Sequence, residues 1–426
     1  MALLLASGRA GAEETLSHGR FTDVHIFRPV GPVRHVVLFL SGEGGWTHGL
    51  TRMANLMVAD DTLVIGIDVT QLFDELEADG AECVLPDGDL ENLSHWVQAY
   101  YTLPTYFPPV LVGYSAGASF AYAMLAQAPP GIFAGALSLS FCADLDLHKP
   151  LCKGDALHSS MRADNRGVRL SPTAHLHAPW VALHGLHDMR CPITDARHFA
   201  ANTRPARLIE LPDVGHRYGR SERWLPQFQS AYQSVLAQQR ALPGPPGSLA
   251  DLPIVEVPAR GRGKGDDLFA VLVSGDGGWA GIDKEVAAAL AARGVPVAGL
   301  DSLRYFWHAR TPDGLARDID RVLRYYAQHW GKQRALLIGY SQGADVLPFA
   351  VNRLPDSTRS LVALTALMGI SDTASFEFHV TQWLGSSDDG LPTKPETDKL
   401  SADDTLCLYG TDDSDSLCPT IGAAPA

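Results

Sequence analysis

The sequence predicts an α/β fold built twice, as a tandem of two related domains with mainly parallel sheets, the second truncated at its C-terminus. Three observations carry this. Short apolar runs alternate with amphipathic helical stretches along the chain, the pattern of a parallel sheet covered on both faces. Four sequence blocks recur in one order at near-equal intervals. In both copies a G-Y-S-x-G pentapeptide stands between an apolar run and a helix-forming segment.

In chain order, the first copy supplies the runs VVLFL (36–40), TLVIGI (62–67), PVLVGY (109–114), GALSLS (135–140) and WVALHG (180–185). Each is bounded by Gly, Pro or polar residues and is too short and too continuously apolar for anything but a buried strand. Between such runs, Ala118–Gln127 and, in the second copy, Asp283–Arg293 carry helical periodicity. The repeat is explicit: VVLFLSGEGGW (36–46) returns as AVLVSGDGGW (270–279), VIGID (64–68) as VAGLD (297–301), VGYSAGA (112–118) as IGYSQGA (338–344), and HGLHDMRCP (184–192) as YGTDDSDSLCP (409–419). A Pro/Gly-rich stretch, Ala241–Pro253, separates the copies and reads as a linker. The expected organisation is residues 1–20 as a signal-peptide remnant or disordered, 21–240 as the first domain, 241–253 as linker and 254–426 as an incomplete second domain.

Composition narrows the function. With 426 residues, 46% hydrophobic and 19% charged, the chain reads as a globular protein with large cores rather than a disordered or fibrous one. No run of about 18 apolar residues occurs, so no transmembrane helix is expected and membrane contact would be peripheral. A net charge of −14 argues against a nucleic-acid partner and suits a cationic ligand better. No Cys/His set has zinc spacing, and no phosphate-binding glycine motif is present, so neither a metal nor a cofactor is expected. Cys142 with Cys152 and Cys407 with Cys418 lie close in sequence and are the candidate disulfides, with Cys83 and Cys191 pairing or staying reduced. Together with MALLLASGRAGA at the N-terminus, they point to export.

The chemistry follows from the pentapeptide. Glycines flanking the serine allow a sharp strand-to-helix turn that lifts the hydroxyl above the sheet, as in α/β-hydrolases. A serine hydroxyl needs a base, and the base an orienting carboxylate, here in the order serine, acid, histidine. Ser115, Asp188 and His216 satisfy that order in the first copy. In the second, Ser341 has Asp413 or Asp415 as the acid, but the matching histidine would fall past Ala426; His379, after Ser341, precedes the acid. An oxyanion hole would combine the backbone N–H after each serine (Ala116, Gln342) with the early loop containing Glu43 and Gly44, or Asp276 and Gly277. Glu43 and Asp276 either stabilise their turn or face a cationic substrate group, and Trp46 and Trp279 read as pocket wall or core.

The blocks SGDGGW (274–279), GYSQGADVLPF (339–349), LSLSFCADLDLHKPLC (137–152) and VGHRYGRSERWLPQF (214–228) closely resemble the AcvB and VirJ family of bacterial virulence proteins, from about Phe21 onward. The resemblance implies a periplasmic hydrolase that cleaves the aminoacyl ester of lysyl-phosphatidylglycerol and adjusts membrane charge, with the activity in the second, VirJ-like domain and hence at Ser341. The contrasting expectation is a non-enzymatic periplasmic adaptor for secretion-system or envelope proteins.

Overall fold

The computed structural model describes residues 13–103, 106–154, 156–239, 249–260, 267–377, 390–410 and 416–421. The chain divides into two compact units, Met1–Gln98 with Tyr106–Ala241 and Ala99–Thr105 with Leu242–Ala426.

Among the described residues the first unit has eleven strands: β1 (Glu14–His18), β2 (Phe21–Phe27), β3 (His35–Leu40), β4 (Thr62–Ile67), β5 (Val110–Tyr114), β6 (Gly135–Leu139), β7 (Asp144–Leu145), β8 (His158–Met161), β9 (Val168–Ser171), β10 (Trp180–Gly185) and β11 (Ala206–Leu211). Eight form one sheet in the order β1-β2-β4-β3-β5-β6-β10-β11. From β4 to β11 every pairing is parallel, while β1 and β2 add an antiparallel edge. The apolar runs are buried throughout, as strands covered on both faces must be. Helix Ala116–Gln127 is buried on every side, which is why its sequence, AGASFAYAMLAQ, lacks a polar face.

The second unit repeats the plan. Its sheet runs β12-β14-β13-β15-β16-β19, with β12 (Ile254–Val257) antiparallel to β14 (Val297–Leu300), and β13 (Leu268–Val273), β15 (Arg334–Tyr340), β16 (Val362–Met368) and β19 (Thr405–Leu408) joined in parallel. The short β17 (Thr373–Ala374) and β18 (Leu391–Pro392) pair apart from it. The expected α/β fold with mainly parallel sheets is what the chain adopts.

Three expectations from the sequence need correction. Residues 1–20 do not all precede the fold, because Glu14–His18 pairs with β2 and its alternating burial gives it one face on the core; Met1–Ala12 lie outside the described residues. The stretch 241–253 is not all linker, since Leu249 and Leu252 are buried with Ile254 in the second unit's core; residues 241–248 are not described. Cys142 and Cys152 do not pair with each other. Cys142 follows β6 and bonds Cys191, which follows the adjacent strand β10, while Cys152 bonds Cys83 beside the Val84–Leu151 bridge. Sheet adjacency overrides closeness in sequence. Cys407 and Cys418 do pair, with Cα atoms 5.5 Å apart.

Candidate active site

Both pentapeptides form the same strained elbow. Ser115 has φ 54° and ψ −115°, and Ser341 φ 49° and ψ −120°, a conformation that L-residues adopt only when their surroundings over-determine it. The flanking glycines make it possible. A Cβ on Gly113 would stand 2.0 Å from the Gly117 carbonyl oxygen, and one on Gly117 would stand 2.3 Å from the Ser41 carbonyl oxygen. Gly339 and Gly343 are enclosed in the same way in the second unit. The elbow seats each serine at the C-terminal end of a central strand, where open parallel sheets place their ligands.

The first unit brings its three candidates together. Ser115 Oγ lies 2.8 Å from His216 Nε2, and His216 Nδ1 lies 2.9 and 3.0 Å from the two Asp188 oxygens. Asp188 sits in the turn after β10, where its Oδ1 also accepts the Arg190 and Cys191 backbone N–H groups. Burial opposes its ionisation, yet the hydrogen bonds from His216 and the Cys191 amide outweigh that and hold the carboxyl below the usual range. His216 follows β11 in a loop fixed by Tyr114, which donates to the His216 carbonyl at 3.1 Å, and by the His187 N–H bonded to Val214. Gly185 permits that loop's approach, since a Cβ there would meet the Val214 carbonyl oxygen at 2.2 Å.

Glu43 does more than steady its own loop, and it is not an open anionic site. Its carboxylate accepts the Ser115 hydroxyl at 2.6 Å and an Arg190 guanidinium N–H at 2.6 Å. Burial raises its pKa, but the Ser115 bond, its own backbone N–H and the charge of Arg190 more than compensate, so it stays ionised below the usual range. Arg190 is the residue that sequence reading missed. Its signal was slight, a cation two positions after the acid. Of the loop glycines, Gly44 has open space around it, whereas Gly45 (φ 69°) needs to be glycine because a Cβ would lie 2.6 Å from Asp68 Oδ2. Trp46 and Trp279 belong to the core, each packed over a strand glycine, Gly66 and Gly299.

At the second elbow, Gln342 donates to the Ser375 carbonyl and is buried, and Asp276 lies near enough to Asp345 and Tyr340 to influence both. Among the described residues no histidine or carboxylate is hydrogen-bonded to Ser341. Asp413, Asp415 and His379 lie outside the described residues.

A doubly covered parallel sheet with a serine elbow at the end of its central strand defines an α/β-hydrolase architecture. Residues 267–425 match the family described as "Bacterial virulence protein (VirJ)", so the second unit is VirJ-like within a chain of α/β-hydrolase fold. Among curated proteins no relative matches the chain. Similar solved structures include a dienelactone hydrolase from Anabaena variabilis ATCC 29413 (16% identity, TM-score 0.39, covering 54% of this chain and 99% of that one). Another is the esterase domain of a Rhodothermus marinus protein (14% identity, TM-score 0.36, 53% and 97%).

Proposed function

We propose that the chain is a serine ester hydrolase whose working centre is Ser115, His216 and Asp188 of the first unit. The observation that carries this is the continuous hydrogen-bond line from Ser115 Oγ through His216 to Asp188, built from three loops at one end of the sheet. In that arrangement His216 takes the proton as Ser115 Oγ attacks an ester carbonyl, and then delivers it to the departing alkoxide. Water, deprotonated by the same imidazole, attacks the acyl-serine; the acid is released and His216 returns the proton to Ser115. Asp188 holds the tautomer and balances the imidazolium. The Ala116 N–H, first in its helix and so without an intrahelical acceptor, would stabilise the oxyanion with the Glu43 loop.

For the substrate, the reading is an ester in the periplasm, with the aminoacyl ester of lysyl-phosphatidylglycerol as the particular compound. The VirJ match and three disulfides, which suit an oxidising compartment, support it. The test is labelling by a fluorophosphonate probe. Label should map to Ser115 and vanish in Ser115→Ala. A folded wild-type chain that takes no label would overturn the reading and favour the adaptor role.

A further inference from the structure

The hydroxyl of Ser115 has one proton and two claimants. An imidazole that donates from Nδ1 to Asp188 presents a lone pair at Nε2, 2.8 Å from Oγ, while the Glu43 carboxylate accepts from the same Oγ at 2.6 Å. With the proton turned toward Glu43, His216 cannot take it. The carboxylate also meets its own backbone N–H, so it places negative charge beside the loop that the oxyanion needs. This arrangement restrains the nucleophile, and Arg190 holds the restraint in place through its 2.6 Å ion pair with Glu43.

Arg190 is also open to competition. Its side chain is 60% exposed, and it lines a cavity of about 460 Å³ beside His216. Arg217 and His187 line the same cavity, with Met189, 93% exposed, at its rim. No carboxylate is among the described residues that line it. In a chain of net charge −14, the described lining of this cavity beside the histidine holds two arginines, of which Arg190 is paired with Glu43. Guanidinium groups bind carboxylates and phosphates through paired N–H donors, and an anion bound there would compete with Glu43 for Arg190.

Resting on the serine-hydrolase reading, we propose that Arg190 and Arg217 receive an anionic group carried by the ester substrate, and that the exchange frees Ser115 from Glu43. The site then selects for esters bearing a carboxylate or a phosphate-like group near the scissile bond, and is slow on neutral ones.

Three esters of matched length test this: 4-nitrophenyl valerate, mono-4-nitrophenyl glutarate and 4-nitrophenyl 4-phosphonobutyrate. The wild-type chain should prefer one or both anionic esters over the valerate by about 10- to 100-fold in kcat/KM, the range expected of a charge-assisted contact. Which anionic ester leads separates a carboxylate source from a phosphate-like one. Arg190→Gln should abolish the preference, Arg190→Lys should keep part of it, and Glu43→Gln should raise the rate on the valerate. Thermal melts establish that each variant is folded. Equal rates on all three esters that still depend on Ser115, or a preference untouched by both Arg190→Gln and Arg217→Gln, would overturn the inference and leave the hydrolase reading standing. Hydrolysis of none of them, with Ser115 unlabelled, would remove both.

Discussion

At Asp188, two opposed effects meet in one side chain. Burial penalises its charge, and donors from His216 and the turn amides restore it with a surplus. A carboxyl whose folded pKa is depressed contributes stability above its unfolded pKa, about 3.9, and loses it as pH falls toward the folded value. The melting-temperature gap between wild type and Asp188→Asn should therefore stay level from pH 7 to pH 5 and shrink only below about pH 4. Activity is the more sensitive readout: the same variant should lose roughly 10³- to 10⁴-fold in kcat, because an amide cannot hold the imidazole in the proton-accepting tautomer. A loss under tenfold would mean that His216 is positioned without it. Ser115, Asp188 and His216 were legible in the sequence, because chain order and strand-end context are one-dimensional signals. The Glu43–Arg190 contact was not. It joins two loops 147 positions apart through side-chain geometry that no spacing encodes.

At the scale of elements, the elbow is a packing solution. Helix Ala116–Gln127 lies so close to β3 that Gly117 leaves no room for a methyl group against the Leu40 and Ser41 carbonyls. Gly117→Ala should cost about 2–4 kcal/mol, with a correspondingly lower chemical-denaturation midpoint, because both obstacles are backbone atoms. A midpoint within error of wild type would show that the helix can shift. The second elbow helix, Gln342–Val351, carries a different feature. Asp345 is buried, and its Oδ1 accepts the Ser371 N–H at 2.7 Å. Burial pushes its carboxyl up to about 7. A raised acid pKa works against folding once the unfolded chain ionises, so the penalty grows from about pH 4 and is complete above about pH 7. Asp345→Asn, which keeps an acceptor, should be neutral at pH 4 and stabilise by on the order of 4 kcal/mol at pH 8. A gain that is the same at both values would assign the effect to packing. The strands were legible as apolar runs, and so was the Cys407–Cys418 pair, but the partners of Cys142 and Cys152 were not, because which strand ends lie side by side is set by sheet order, and Cys142 meets Cys191 only since β6 neighbours β10.

Across the whole molecule, duplication has preserved the frame of the two centres. Both sheets share the central order, both elbows share the strained serine, and both early loops carry an acid at the same repeat position, Glu43 and Asp276. The elbow alone does not make a nucleophile. Ser115 has an imidazole at 2.8 Å, whereas no described histidine or carboxylate is bonded to Ser341. Without a group to take the hydroxyl proton, a serine centre keeps only the small fraction of its rate that binding and the oxyanion hole supply. The VirJ-like match lies on the second unit, so family likeness and side-chain geometry point to different serines in this chain. Geometry decides reactivity. Among the described residues the base belongs to Ser115, so a fluorophosphonate probe should label Ser115, and Ser115→Ala should abolish that label while Ser341→Ala leaves it intact. Peptide mapping that found the label on Ser341 would reverse the assignment, and would require a base for it outside the described residues.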